Sequence, residues 1–166
     1  MPRLILLRHA TAASGRDDAA RALTDHGRQE AHWVGASLQR QGWLPDLALC
    51  STAVRASQTF DGLVAGTGGS LDPACARLDT RLYLAAPERL MGCIAEVEDE
   101  AGTLLVVAHN PGIFDLAQAL AERNAEGRLA LSRGFPPASL ARYAVVGSWA
   151  SLAPAAATLV DVLRPG

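Results

Sequence analysis

Apolar and polar residues fall in short blocks along this chain, and each block reads as one element. Leu4-Ile5-Leu6-Leu7 is a continuous apolar run that predicts a strand buried on both faces. The polar stretch Ala12 to Arg21, with Ser14-Gly15 and Asp17-Asp18, predicts a loop. From Thr24 to Gln41, Ala31, Val34 and Leu38 recur at three- and four-residue steps. Thr24 can cap that helix and Gly42 can end it. Leu47 to Cys50, behind Pro45, predicts a second strand, and Ala53 to Val64 a second helix closed by Gly66-Thr67-Gly68-Gly69. A short strand follows at Ala76 to Leu78, and Pro87 opens a third helix running to Glu98. The strongest strand is Leu104 to Val107, and a fourth helix spans Pro111 to Arg123. Asn124 to Pro137, with its Gly and Pro, predicts a loop. Leu140 to Val146 and Ala157 to Leu163 predict two final strands joined by a turn near Gly147.

Strands alternating with helices imply an α/β fold: a single-domain three-layer α/β/α sandwich over residues 1–166, with a mostly parallel central sheet and one antiparallel edge strand. Composition narrows the function. With 49% hydrophobic and 19% charged residues, the chain can build a core. A net charge of −2 supplies no basic face, so neither nucleic acid nor a membrane surface is an expected partner. No apolar stretch approaches the ~20 residues of a membrane span, and the apolar run after Met1-Pro2-Arg3 is too short for a secretory leader. Three widely spaced cysteines, Cys50, Cys75 and Cys93, form no C-x-x-C pair, which fits free thiols in a cytoplasmic protein. All 15 basic residues are Arg, so an arginine counts as chemistry only where its position is special.

The carboxyl ends of the strands in such a sheet are where ligands bind. Arg8 and His9 follow the first strand, Ser51, Thr52 and Arg55 the second, and His109 and Asn110 the fourth. A single histidine after a strand is ordinarily a packing or capping residue. Two histidines and two arginines converging on one rim require four such coincidences. Two Arg forks beside two imidazoles make a site for a phosphate-like dianion, with helix N-termini near Thr52-Ala53 and Asn110-Pro111 adding dipole ends. No metal-spaced Cys, His or Asp set accompanies them, so neither metal nor cofactor is expected. His26 and His32, both on the first helix with no partner in sight, take that ordinary reading.

These residues also carry a family resemblance. Arg8-His9-Ala10 resembles the R-H-G/A signature of the histidine phosphatase superfamily, to which the phosphoglycerate mutases belong. Ser51-Thr52-Ala53-Val54-Arg55-Ala56-Ser57-Gln58-Thr59 is similar to its S-x-x-x-R-A-x-x-T segment, and Val107 to Pro111 to its second-histidine motif. Arg21-Ala22-Leu23-Thr24-Asp25-His26-Gly27 resembles the R-x-L-T-x-x-G segment of the short, SixA-like phosphohistidine phosphatases. The resemblance implies a phosphoglycerate mutase-like fold, His9 as a transiently phosphorylated nucleophile, and a phosphate pocket of Arg8, Arg55 and His109. It places Arg21 near the mouth and Ser51 among the phosphate contacts. It supplies no clear proton donor: Glu88 and Asp79 are the nearest candidates, yet Glu88 suits the dipole of a helix first turn and Asp79 suits a loop.

The expected chemistry is in-line attack by neutral His9, then hydrolysis, with Arg8, Arg55 and a protonated His109 stabilising equatorial charge. Imidazole is a far better leaving group than an alkoxide, so a site without an acid favours phosphohistidine. The expected partners are phosphate or sulfate at the site and a phosphohistidine-bearing protein. Two rival readings stand beside this one: a small-molecule phosphomonoester phosphatase, and a catalytically weak phosphate-binding module.

Overall fold

The computed structural model describes all 166 residues. Six strands form one sheet: β1 (Arg3–Arg8), β2 (Leu47–Ser51), β3 (Ala76–Asp79), β4 (Thr103–Ala108), β5 (Leu140–Val145) and β6 (Ala157–Leu163). Their order across the sheet is β3-β2-β4-β1-β5-β6. The pairs among β1 to β4 are parallel, while β5 lies antiparallel to both β1 and β6. Two reversals restore direction, so β5 alone runs against the rest and β6 closes the edge outside it. The antiparallel edge expected from the sequence is thus a hairpin of two strands.

The continuous apolar runs are explained by two cores. Leu4 and Leu6 of β1, with Leu104 and Val106 of β4, point into one. Ile5 and Leu7, with Leu105 and Val107, point into the other, because successive side chains in a strand face opposite ways. Helices α1 (Asp25–Arg40) and α2 (Val54–Gly66) cover the second set through Val34, Leu38, Phe60 and Leu63. Helices α3 (Pro87–Ala95), α4 (Gly112–Leu120) and α5 (Ala125–Leu131) cover the first through Leu90, Ile94, Leu116 and Leu131. Covering both faces keeps the apolar side chains of β1 and β4 from water, where each large one is worth roughly 1.5–3 kcal/mol.

Helix ends follow the expected signals in α1: the Thr24 hydroxyl accepts from the Gly27 N–H, and Gly42 leaves the helix with φ +69°. Helices α3 and α4 stop about a turn earlier than their apolar periodicity suggested. The stretch Asn124 to Pro137, read as loop, contains α5. Gly127 lowers the intrinsic helix preference there, but the Asn124 side chain caps the segment and Gly127 packs against Leu159, so tertiary docking prevails. No helix is long and apolar enough to cross a membrane. The three cysteines are free thiols, Cys50 and Cys93 buried. His26 is exposed and has a partner after all, Glu30 at 3.6 Å, one turn along α1.

Candidate active site

Strand register brings the two histidines together. Arg8 of β1 pairs with Ala108 of β4, so the next residues, His9 and His109, leave adjacent strands side by side. Their ring centroids are 5.2 Å apart. The His9 backbone is fixed on two sides, its N–H donating to the Ala108 carbonyl at 3.1 Å and its carbonyl accepting from the Ala138 N–H at 3.0 Å. Thr59 links this turn to α2: its hydroxyl accepts from the Ala10 N–H at 2.9 Å and donates to the Arg55 carbonyl at 2.7 Å. That pairing explains the threonine four residues after the arginine in the second motif. Gly27, the glycine of the R-x-L-T-x-x-G segment, is also accounted for. A Cβ at Gly27 would stand 2.0 Å from the Thr11 carbonyl oxygen, so only glycine lets α1 approach the chain leaving His9.

The tautomers follow from partners that have only one role. His9 Nδ1 lies 2.7 Å from the Ala10 carbonyl oxygen, an acceptor, and therefore carries the proton. Its Nε2 is left as a lone pair and accepts from Arg55 Nε at 3.3 Å. Arg55 Nη2 faces His109 Nδ1 at 3.2 Å; a guanidinium only donates, so His109 holds its proton on Nε2 and gives it to Ser51 Oγ at 2.7 Å. Burial pushes the His9 pKa down to about 4; the Ala10 contact opposes this, and Arg55, Arg8 and Arg21 add to it. Burial also holds His109 down, to about 3, with His9 and Arg55 contributing. Both rings are neutral in the free protein at pH 7. This revises the expectation of a protonated His109, whose burial beside Arg55 and His9 disfavours a second charge.

Arg55 is 2% exposed. Beyond the two histidines it donates to Asp18, through Nη1 to the main-chain oxygen at 2.7 Å and through Nη2 to the carboxylate at 3.0 Å. The Tyr83 hydroxyl donates to the same carboxylate, and Arg21 Nε reaches it at 3.1 Å. The Tyr83 bond and Arg55 lower the Asp18 pKa to about 2, so this carboxylate is ionised. Arg8 Nη1 donates to the Phe135 carbonyl at 3.1 Å, while its buried Nε has no partner. Asn110 Nδ2 shares that carbonyl at 3.0 Å.

A cavity of about 290 Å³ opens over these groups, lined by Arg8, His9, Asp18, Arg21, Arg55 and His109 among others. Five of the residues singled out in the sequence therefore meet: His9, Arg8, Arg55, His109 and, at the exposed side, Arg21. Three others do not reach it. Ser51 is wholly buried beneath His109, and its hydroxyl serves that ring rather than the cavity. Glu88 is exposed in the first turn of α3 and lines a separate groove with Arg81 and Glu96, away from the histidines. Asp79 is paired with Arg81 at 2.8 Å. Two participants escaped the sequence reading. Asp18 sits in a loop of mixed polarity and Tyr83 follows a short 3-10 turn; the one local hint was Arg21 three residues after Asp18.

The geometry gathers an imidazole lone pair and three arginines at one cavity. The family model of the histidine phosphatase superfamily, branch 1, matches residues 4–82. An uncharacterized protein of Mycobacterium tuberculosis is 40% identical, with 96% of this chain and 99% of the relative aligned. The solved structure of a candidate phosphohistidine phosphatase SixA from Nakamurella multipartitia is 32% identical with a TM-score of 0.84, covering 99% of this chain and 96% of that one. A SixA protein histidine phosphatase solved with tungstate shares the fold at a TM-score of 0.76 and 21% identity, covering 97% of this chain and 96% of that one. With the family model, the fold and a 32% identical SixA structure aligned along nearly its whole length in agreement, this chain belongs to the histidine phosphatase superfamily and is SixA-like.

Proposed function

We propose that this histidine phosphatase removes phosphate from phosphohistidine on a protein, through a phosphorylated His9 and without a metal. The observation that carries the reading is the lone pair of His9 Nε2, held toward Arg55 by the Nδ1–H bond to Ala10. Arg8 lines the same cavity with an unpartnered Nε, which suits an anion. Tungstate, a phosphate mimic, is bound by one SixA relative of the same fold. Positive charge comes from Arg8, Arg21 and Arg55. No three His, Cys, Asp or Glu side chains gather as a metal-binding group, so the reading uses none.

The His9 Nε2 lone pair attacks phosphorus in line, and the substrate P–N bond breaks with its electron pair going to the leaving ring. If the distal nitrogen of that ring is protonated, it departs as neutral imidazole and needs no acid. His9 then carries phosphate on Nε2 and a proton on Nδ1, which makes it in turn a neutral leaving group. Water attacks, its proton passes to the departing phosphate or solvent, and the His9–phosphorus bond breaks to restore the starting tautomer. Arg8 and Arg55 stabilise the equatorial oxygens, and His109 joins them once the bound dianion raises its proton affinity.

The missing acid favours phosphohistidine over alkyl esters. The only carboxylate lining the cavity, Asp18, is ionised with a pKa of about 2 and cannot protonate an alkoxide. The deciding experiment is turnover of a phosphohistidine peptide, p-nitrophenyl phosphate and common sugar phosphates, each with and without EDTA. The expected result is highest kcat/KM on phosphohistidine, unchanged by EDTA. Turnover of sugar phosphates with none of phosphohistidine would move the assignment to a small-ester phosphatase. No turnover of any substrate, with phosphate still bound, would leave a binding module.

A further inference from the structure

Arg55 presents two edges, and a different pair of partners meets each. The side-on edge, Nε and Nη2, faces His9 Nε2 at 3.3 Å and His109 Nδ1 at 3.2 Å. The end-on edge, Nη1 and Nη2, meets the Asp18 main-chain oxygen at 2.7 Å and its carboxylate at 3.0 Å. A guanidinium is planar and rigid, so fixing one edge sets the direction of the other. Resting on the phosphatase reading above, we infer that Asp18, braced by Tyr83, is a positioning residue that aims the side-on edge of Arg55 at the transferring phosphoryl group.

Asp18 is itself held from several sides. Tyr83 donates its hydroxyl to Oδ2, and Arg21 reaches Oδ1 through Nε at 3.1 Å. The Tyr83 ring stands edge-on to His109, centroids 5.5 Å apart and planes at 85°, so the brace reaches the second histidine as well. The guanidinium carbon of Arg55 lies 6.0 Å from the Tyr83 ring centre. Asp18, Arg55, Tyr83 and His109 therefore form one connected unit drawn from a loop, a helix, a turn and a strand end.

Charge alone argues against a carboxylate here. A carboxylate lining a cavity meant for a dianion repels it and competes for the same arginine donors. The two accounts of Asp18 therefore predict opposite signs. If the carboxylate merely occupies the anion seat, removing it tightens anion binding. If it aims Arg55, removing it loosens anion binding even though a repulsive charge has gone.

The test is tungstate binding by calorimetry, alongside kcat and KM on phosphohistidine peptide, for wild type, Asp18→Ala, Asp18→Asn and Tyr83→Phe. Asp18→Ala is expected to weaken tungstate binding roughly tenfold, the scale of losses when an outer partner that orients a binding group is removed. Asp18→Asn, which keeps one acceptor oxygen, should fall between wild type and Asp18→Ala. Tyr83→Phe should shift in the same direction by less. In an Arg55→Lys background, Asp18→Ala should add no further loss, because lysine has no second edge to hold. Tungstate binding unchanged or tighter in Asp18→Ala or Asp18→Asn overturns the inference, as does a fully additive loss in the Arg55→Lys background. Binding needs no turnover, so the two readings fail separately. A wild type that binds tungstate through Asp18 but hydrolyses nothing sinks only the phosphatase reading. A wild type that hydrolyses phosphohistidine while Asp18→Ala binds and turns over equally well sinks only the positioning role.

Discussion

His9 and His109 face one another across 5.2 Å, and each accepts a hydrogen bond from a different nitrogen of Arg55. Two neutral rings thus turn their lone pairs toward one cation. That arrangement is ready for a phosphoryl group, whose oxygens can take over the arginine N–H donors as the ring nitrogen takes the phosphorus.

The first prediction concerns pH. In the proposed mechanism His9 attacks only when neutral, and its pKa is lowered from 6.5 to about 4. The acid limb of kcat/KM reports the free enzyme. On a substrate whose own charge is constant over the range, that limb should lie well below 6.5, near 4. An inflection at 6.5 or above would show that His9 is not the group so buried. Stability should follow the same groups. Both His9 and His109 bind protons more readily when unfolded, so the unfolded state gains protons first as pH drops. Their contribution is complete above 6.5 and declines as pH falls through about 4 for His9 and about 3 for His109, which denaturation midpoints across that window can measure.

The second concerns the nucleophile. His9→Ala should abolish turnover and leave no acid-labile ³²P label on the protein, while wild type is labelled. Wild-type rates in His9→Ala would remove His9 from its role. His109→Ala and Arg55→Ala should lower kcat by on the order of 100-fold or more. Arg55→Ala should also lower stability, roughly by 1–3 kcal/mol, because the buried guanidinium is hydrogen-bonded to Asp18 and both histidines.

The third separates Ser51 from Glu88. Ser51→Ala strips His109 Nε2 of its acceptor and frees the ring to turn, so kcat should fall roughly tenfold or more. Glu88→Gln changes an exposed side chain outside the cavity and should alter kcat and KM on no substrate. A large loss on every substrate in Glu88→Gln would restore it as the proton donor.

The fourth is structural. Gly27→Ala places a methyl group 2.0 Å from the Thr11 carbonyl oxygen, a backbone atom that cannot step aside alone. Helix α1 must shift, at a cost of about 1–3 kcal/mol. Because Thr11 lies two residues after His9, activity should fall along with the thermal midpoint. An unchanged midpoint would mean that α1 does not sit as closely as described.

Much of this protein is written in local order along the chain. The apolar runs of β1 and β4 and the period of α1 are properties of neighbouring residues, so they predict their elements without further information. Arg8, His9, Arg55 and His109 were legible because each stands where a strand ends or the following helix begins, and parallel strands end on the same side of the sheet. What depends on distance through space was not legible. Helix α5 exists because Gly127 docks on Leu159, against its own propensity. Ser51 serves His109 rather than a ligand because β2 lies beside β4, which buries the serine hydroxyl under the imidazole. Asp18 and Tyr83, 65 residues apart, carry no shared pattern and meet only once the sheet has brought Arg55 between loop and turn. Local pattern named the groups that meet at the cavity; the neutral state of His109 and the direction of Arg55 came only with folding, because burial and partner geometry, which no sequence spacing encodes, set proton affinity and aim.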